Sequence, residues 1–272
     1  MHEKMLTREV IVETLVNALE PLDYVHAFYE GGAAAFGRID EWSDIDLYAV
    51  ADDEKIDAVF LAVEKTLERL SPIEQKLRTP QLPWPGVSQT FYKLSTASEF
   101  LLIDLAVLKL NAPEKFLEPL IHGNVVFYFN KNDALKPNRF DKKTFSEKLR
   151  VRLQMMQARF SMFNNLVQKE IYRHNYLEAM EWYHVFTLTA LVEALRMKHN
   201  PVHHDFRMRY MHYELPTETI RRLENLYFVK NAKDLQEKYN EATEWYKETI
   251  LKINPSFMSP ERAPIRKDHA SK

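Results

Sequence analysis

The sequence predicts an α+β protein: an N-terminal mixed β-sheet with helices, followed by a C-terminal helical bundle. Three observations predict it. Between residues 24 and 129, short runs rich in β-branched and aromatic residues alternate with stretches of helical period. After about residue 140 the apolar residues recur only at helical spacing. The chain has only 5 glycines, and Gly31, Gly32 and Gly37 crowd between the first two strand-like runs, so they mark one particular turn.

That turn lies in residues 24–50, YVHAFYEGGAAAFGRIDEWSDIDLYAV. Residues 24–29 read as a buried strand. The glycines and small Ala33, Ala34 and Ala35 follow. A strand that ends in glycines and opens a helix presents backbone N–H groups to an anion. A second strand, 45–50, is introduced by Ser43, Asp44, Ile45 and Asp46. Residues i and i+2 of a strand share a face, which places Asp44 and Asp46 together beside the turn. Two carboxylates roughly 6–7 Å apart repel by about 2–3 kcal/mol at an effective dielectric near 20. A hard divalent cation relieves that repulsion through oxygen ligands, and magnesium keeps substrate phosphate in its shell. Carboxylate pair and glycine turn together read as a metal–nucleoside triphosphate site.

The run resembles the nucleotidyltransferase superfamily of DNA polymerase beta, whose motif sets Gly-Ser after the first strand and Asp-x-Asp on the next. Gly32-Ala33, Gly37 and Ser43-Asp44-Ile45-Asp46 fall at that spacing. One departure is Ala33, where the family has a serine that helps hold the triphosphate. The resemblance implies nucleotide-binding roles for Gly31, Gly32, Ala33, Gly37 and Ser43, and catalytic, metal-binding roles for Asp44 and Asp46. It also implies a third carboxylate from a neighbouring strand. Asp104 matches: it is the lone charge in FLLIDLAVL, residues 100–108, and costly to bury unless paired or metal-bound.

A head of this kind followed by a helical bundle resembles the small-molecule branch, the aminoglycoside and lincosamide nucleotidyltransferases. That implies Mg2+ or Mn2+, a nucleoside triphosphate (ATP) as donor, and a hydroxyl of a small, antibiotic-like molecule as acceptor, with pyrophosphate released. The alternatives are nucleotidylation of a protein or an RNA end, and a non-catalytic nucleotide-binding or antitoxin-like member, which Ala33 permits.

The elements follow in order. Residues 7–20 suit an amphipathic helix through Val10, Ile11, Leu15 and Leu19, with Thr7 as N-cap and Pro21 as stop. Residues 53–70 form a second helix, with Ile56, Val59, Phe60, Val63, Leu67 and Leu70 on one side. Residues 71–87 hold four prolines and read as a loop, with a short strand at 74–78. Trp84 within it covers the core edge or stacks on a substrate ring. Strands follow at 88–94, 100–108 and 125–129, with a helical turn at 114–120. The resulting sheet is mixed, with helices on one face. The catalytic domain spans 1–135, and residues 136–138 read as a linker.

The bundle spans 140–254. A single helix over 141–170, capped by Asp141, carries a stripe of Phe145, Leu149, Leu153, Met156, Phe160, Phe163 and Val167, which Met155, Met156 and Met162 fill. A second helix over 174–199 gathers Glu178, Glu181, Thr189, Glu193 and Arg196 on about a third of its wheel at 100° per residue. If that arc lines a cleft, the acceptor is cationic, and Glu178 or Glu181 takes the proton from its hydroxyl. Helices at about 217–228 and 231–252 complete the bundle, and 255–272 reads as a flexible tail.

Composition sets the remaining bounds. The net charge of −2 argues against a wide nucleic-acid-binding surface. There are no cysteines, so disulfides and zinc–sulfur sites are excluded, and the chemistry fits a reducing cytoplasm. MHEKMLTREV lacks the apolar core of a signal peptide, and no apolar run is long enough to span a membrane. Homo-oligomerisation is left open.

Overall fold

The computed structural model describes residues 5–80, 82–137 and 139–253. The tail expected at 255–272 and Asn138 of the expected linker lie outside the described residues. The chain divides into two compact units, Met1–Phe140 and Asp141–Lys272.

In the first unit the elements are α1 (Arg8–Leu19), β1 (Val25–Glu30), α2 (Gly32–Ala35), β2 (Ile45–Ala51), α3 (Ile56–Leu70), β3 (Ile73–Arg78), β4 (Val87–Leu94), β5 (Ile103–Lys109), α4 (Pro119–His122) and β6 (Val126–Asn130). The strands form one sheet in the order β3-β4-β5-β2-β1-β6. β2 and β5 run parallel, and the other neighbours are antiparallel. This is the mixed α+β sheet that the strand pattern predicts.

Period-2 alternation gives the sheet two different faces. On one, Phe28, Leu47, Ala49, Leu105 and Val107 pack against Ile11, Leu15 and Leu19 of α1 and Val59, Val63 and Leu67 of α3. Each fully buried side chain of this kind contributes about 1.5–3 kcal/mol. Val10, expected on this face, is exposed, and Val12 is buried in its place. The other face carries a smaller cluster, in which Tyr29, Val50, Ala106 and Leu108 pack with Leu117 and Leu135. That cluster stops short of Asp46 and Asp104, which are half-buried near the start of β2 and β5. The expected strand at 100–108 begins only at Ile103, because Leu101 is turned back by its N–H to the Ser98 carbonyl. The outer strand β3 is almost wholly exposed, and its Glu74, Lys76 and Arg78 discourage edge pairing.

The second unit contains α5 (Lys142–Phe163), α6 (Asn165–Tyr172), α7 (Tyr176–Trp182), α8 (Thr189–His199), α9 (Met211–Glu214), α10 (Thr217–Tyr227) and α11 (Ala232–Ile250). Asp141 caps α5, accepting from the Lys143 and Thr144 N–H groups at 3.0 and 3.2 Å. The single helix expected over 141–170 breaks at Asn164. That buried amide donates to Tyr239 and Thr243 and accepts from Thr187, so its bonds hold the break in the core. Met155 and Met162 do not fill the stripe: they are 60% and 68% exposed, and only Met156 is buried.

The helix expected over 174–199 is interrupted by a π-helical segment, Tyr183–Leu188. Its wider turns advance the chain differently from 100° per residue, so the wheel drawn through it fails. Glu178 and Glu181 are exposed on α7, whereas Glu193 and Arg196 of α8 are buried. Arg152 pairs with Glu193 through two hydrogen bonds of 2.6 and 2.8 Å. Arg196 pairs with Glu214 at 2.8 Å, and His203 meets the other oxygen of the same carboxylate at 2.8 Å. The expected polar arc is therefore two surfaces of different kinds.

Candidate active site

The glycine turn is shaped by what lies beneath it. The Gly31 N–H donates to the Asp46 carbonyl at 2.9 Å, and a Cβ on Gly31 would stand 2.8 Å from the Tyr48 ring. Gly32 has φ +50°, and a Cβ there would lie 1.7 Å from the Asp46 carboxylate oxygen Oδ2. Only glycine permits both the backbone angle and that approach. The turn thus rests directly on the Asp46 carboxylate. α2 is a single turn, closed by the Ala35 N–H on the Gly31 carbonyl at 3.1 Å. The N–H groups of Gly32, Ala33 and Ala34 therefore precede the first intrahelical bond.

The other expected phosphate-site residues stand differently. Gly37 has φ +63°, and a Cβ there would meet nothing within 4 Å. Its N–H bonds the Ala34 carbonyl at 3.1 Å, so it stops the helix. The Ser43 hydroxyl donates to the Asp40 carboxylate at 2.7 Å and accepts from the Asp40 N–H at 2.9 Å. It braces the loop that leads into β2.

Asp46 and Asp104 are register partners across the parallel β2–β5 pair. Their strands are about 4.8 Å apart, so two carboxylates share one face at neighbouring positions. Gln89 of β4 donates to both oxygens of Asp104, at 2.7 and 2.9 Å. Burial pushes the Asp104 carboxyl up to about 6; the Gln89 bond opposes this, and the charges of Asp46 and Asp44 add to it. Asp44 lies on the loop before β2, with its side chain reaching solvent. Partial desolvation still raises its pKa, against the Leu102 backbone and the charges of Arg8 and Lys93.

Arg8 holds this loop. It donates to the Asp44 carbonyl at 2.8 Å and pairs with the buried Glu30, which also accepts from Tyr128. Arg8, Glu30 and Tyr128 line a hollow of about 550 Å³ beside α1. It belongs to the helix-covered side of the sheet, because Glu30 is one residue out of phase with Tyr29 and points to the other face.

Neither Gln89 nor Arg8 is singled out by the sequence. Gln89 is one polar residue in a strand, and only the β4–β5 register brings it to Asp104. Arg8 reads as ordinary first-turn solvent contact. The one available signal is Glu30, a charge at the end of a buried strand that demands a partner.

Among the described residues, no group of three or more His, Asp or Glu side chains is placed to hold a metal ion. The expected three-carboxylate cluster is thus not assembled. Asp44 is exposed on its loop, and Gln89 donates to both oxygens of Asp104, each of which keeps a further lone pair. The Asp46–Asp104 pair nevertheless fits a hard cation: its donors are oxygens, and burial, with the Asp46 and Asp44 charges adding to it, disfavours the bare Asp104 carboxylate.

Glu178 lies in the second unit, where Asn175 and Trp182 donate to its two oxygens at 2.7 and 3.2 Å. Glu181 is exposed on the same short helix. Trp84 stands edge-on to Phe116, with centroids 5.3 Å apart, and so covers that ring. No helix among the described residues is long and apolar enough to cross a membrane.

No family model matches the chain, and no curated protein matches it. Among solved structures it is similar to the crystal structure of an aminoglycoside 6-adenyltransferase from Bacillus subtilis, at 10% sequence identity, with 94% of each chain covered and a TM-score of 0.35. A likeness at that level carries no functional weight, so the site itself must.

Proposed function

We propose that the chain is a metal-dependent nucleotidyltransferase. It moves a nucleoside monophosphate from a nucleoside triphosphate, ATP by the resemblance of its motif, to a hydroxyl of a small molecule and releases pyrophosphate. One observation carries this reading: Asp46 and Asp104 stand in register at the centre of the sheet, and the Gly32 backbone lies against the Asp46 carboxylate with no room for a Cβ.

Asp46 and Asp104 would hold Mg2+ or Mn2+, with Asp44 a further carboxylate whose charge acts on Asp104. The ion supplies charge neutralisation at the phosphate and a lowered pKa for the attacking hydroxyl. The Gly32, Ala33 and Ala34 N–H groups precede the first intrahelical bond and would suit phosphate oxygens. Ala33 contributes its N–H without the family's hydroxyl. Gln89 fixes the orientation of Asp104, and Arg8 fixes the loop that carries Asp44.

The cationic acceptor expected from Glu178, Glu181 and Glu193 loses its basis, because the three do not share one arc. Glu178 and Glu181 as proton acceptors are carried by their charge alone.

The test is a labelled-nucleotide screen of the purified chain with Mg2+ or Mn2+ against small molecules, proteins and RNA. Label transfer to a small-molecule hydroxyl that disappears in Asp46→Asn is the expected result. Undiminished transfer in Asp46→Asn, with the fold intact by circular dichroism, refutes the assignment.

A further inference from the structure

The two flanks of the acid pair differ. The glycine turn lies on the β1–β2 flank. On the β4–β3 flank a hollow of about 340 Å³ opens, lined by Gln75, Leu77, Phe91, Tyr92, Lys93 and Leu102. Phe91 stands opposite Asp104 in the β4–β5 register, and Leu77 stands opposite Phe91 in the β3–β4 register. Directly opposed residues share a face. Leu77, Phe91 and Asp104 therefore form one row across three strands, leading from the sheet edge to the candidate reacting centre.

Among the described residues the lining is mostly apolar and includes no carboxylate. Leu77 is 65% exposed on an outer strand, where a packing role does not account for a leucine. Its single charge is Lys93, whose Nζ donates to the Glu99 carbonyl at 3.0 Å and keeps further donors. Two more exposed apolar rings stand on the loops that enter β2 and β5. Trp42 and Phe100 meet edge-on, with centroids 5.0 Å apart. Those loops are joined by the Ile45 N–H on the Leu102 carbonyl at 2.9 Å, and the Asp40–Ser43 turn fixes the first of them. These bonds and the ring contact hold the two loops together beside Leu102, which lines the hollow.

We infer that this hollow is the acceptor subsite, and that it takes a molecule with a flat, apolar or aromatic body, uncharged or anionic, that presents a hydroxyl toward Asp104. A volume of about 340 Å³ lies at the lower end of small-molecule sites, roughly 300–1,000 Å³, and suits one fused ring system. A polyamine is disfavoured here, because the one charge it would meet among the described lining residues is Lys93. The acceptor assignment rests on the nucleotidyl-transfer reading; the binding of a flat apolar ligand does not.

The probe is 8-anilinonaphthalene-1-sulfonate, a flat apolar anion, titrated by fluorescence on the full chain. Saturable one-to-one binding is expected, about tenfold weaker in Leu77→Glu and in Phe91→Ala. It should be unchanged in Asp46→Asn, and undisturbed by Mn2+ with a nonhydrolysable triphosphate. Leu77→Glu changes an exposed side chain, so its fold is checked by an unaltered melting temperature. Absent binding in the wild type, or wild-type affinity in both Leu77→Glu and Phe91→Ala, overturns the site. Displacement by the triphosphate assigns the hollow to the nucleotide and overturns the acceptor role. Faster label transfer to an aminocyclitol than to any aryl alcohol overturns the acceptor class. If the wild type turns over no triphosphate while probe binding falls in Leu77→Glu, the binding site stands and nucleotidyl transfer alone falls.

Discussion

Gly32→Ala tests the coupling between the glycine turn and the acid pair. A Cβ at Gly32 would fall 1.7 Å from Oδ2 and 2.5 Å from Cγ of Asp46. No real contact is that short, so the carboxylate must leave its position or the turn must open. Two costs add. An L-residue at φ +50° costs about 1–2 kcal/mol, and an Asp46 side chain forced off its rotamer about 0.5–1.5 kcal/mol. Together they lower stability by roughly 2–3 kcal/mol, or about 6–12 °C in Tm for a unit of this size. The functional loss should exceed the stability loss, because the displaced atom is the proposed ligand. Gly37→Ala is the control: it shares the positive φ, at +63°, but its Cβ meets nothing, so it pays only the backbone strain. The assay measures the rise in Tm produced by Mn2+ with a nonhydrolysable triphosphate, together with label transfer. Gly32→Ala should lose both and Gly37→Ala should keep both. Equal behaviour of the two variants would show that Asp46 does not depend on the turn, and the phosphate–metal geometry would fail.

Asp104→Asn should be inactive yet more stable than the wild type in metal-free buffer at neutral pH, by up to about 3 kcal/mol. A carboxyl whose folded pKa is raised from 3.8 to about 6 contributes stability below 3.8 that is lost as the pH rises through 6; denaturant melts at pH 5 and 7.5 read it. By the same shift, Mn2+ competes with a proton on Asp104, and its apparent affinity should fall as the pH drops below about 6, measured as the Mn2+-induced change in Tm. In the second unit, the Glu214 carboxyl is held down at about 2 by His203 and Arg196, against burial. A depressed pKa contributes stability above 4.5 that is lost as the pH falls from 4.5 toward 2, here about 3 kcal/mol. Glu214→Gln should remove that acid sensitivity, as followed by far-ultraviolet circular dichroism. Turnover in Glu178→Gln and Glu181→Gln decides their role, since loss of a general base costs about 10²–10⁴-fold and loss of an exposed helix charge almost nothing.

The sheet and the core of the site were legible in the sequence because local rules produce them. Strand period places Asp46 on a known face, and a glycine pair in a chain with few glycines marks a close approach. What the sequence could not supply was register between distant strands. Gln89 reaches Asp104 only because β4 pairs with β5 at Gln89–Ala106, and no pattern within β4 states that offset. The helix wheel over 174–199 failed for another reason. It assumes a uniform advance per residue, and the π-helical segment at Tyr183–Leu188 breaks that assumption. Met155 and Met162 show the limit of composition: methionine suits a core and a surface alike, and only the packing partners decide.

These two kinds of miss bear differently on function. A failed wheel removes an argument: Glu178 and Glu193 no longer vouch for each other, and the cationic acceptor goes with them. A missing register adds one. Once β3, β4 and β5 are aligned, Leu77 and Phe91 fall in line with Asp104. An exposed leucine on a charged edge strand, unremarkable in the sequence, then falls in one row with the candidate site at Asp104. The polar flank of the acid pair is fixed by a turn that tolerates no side chain, so its chemistry has little freedom to vary. On the apolar flank, Leu77 is 65% exposed on an outer strand, so it could be exchanged with little disturbance of the sheet. Under the proposed transfer, specificity for the acceptor would belong on the β3–β4 flank, and substitutions at Leu77 and Phe91 should change which hydroxyl is used before they change whether the triphosphate is bound.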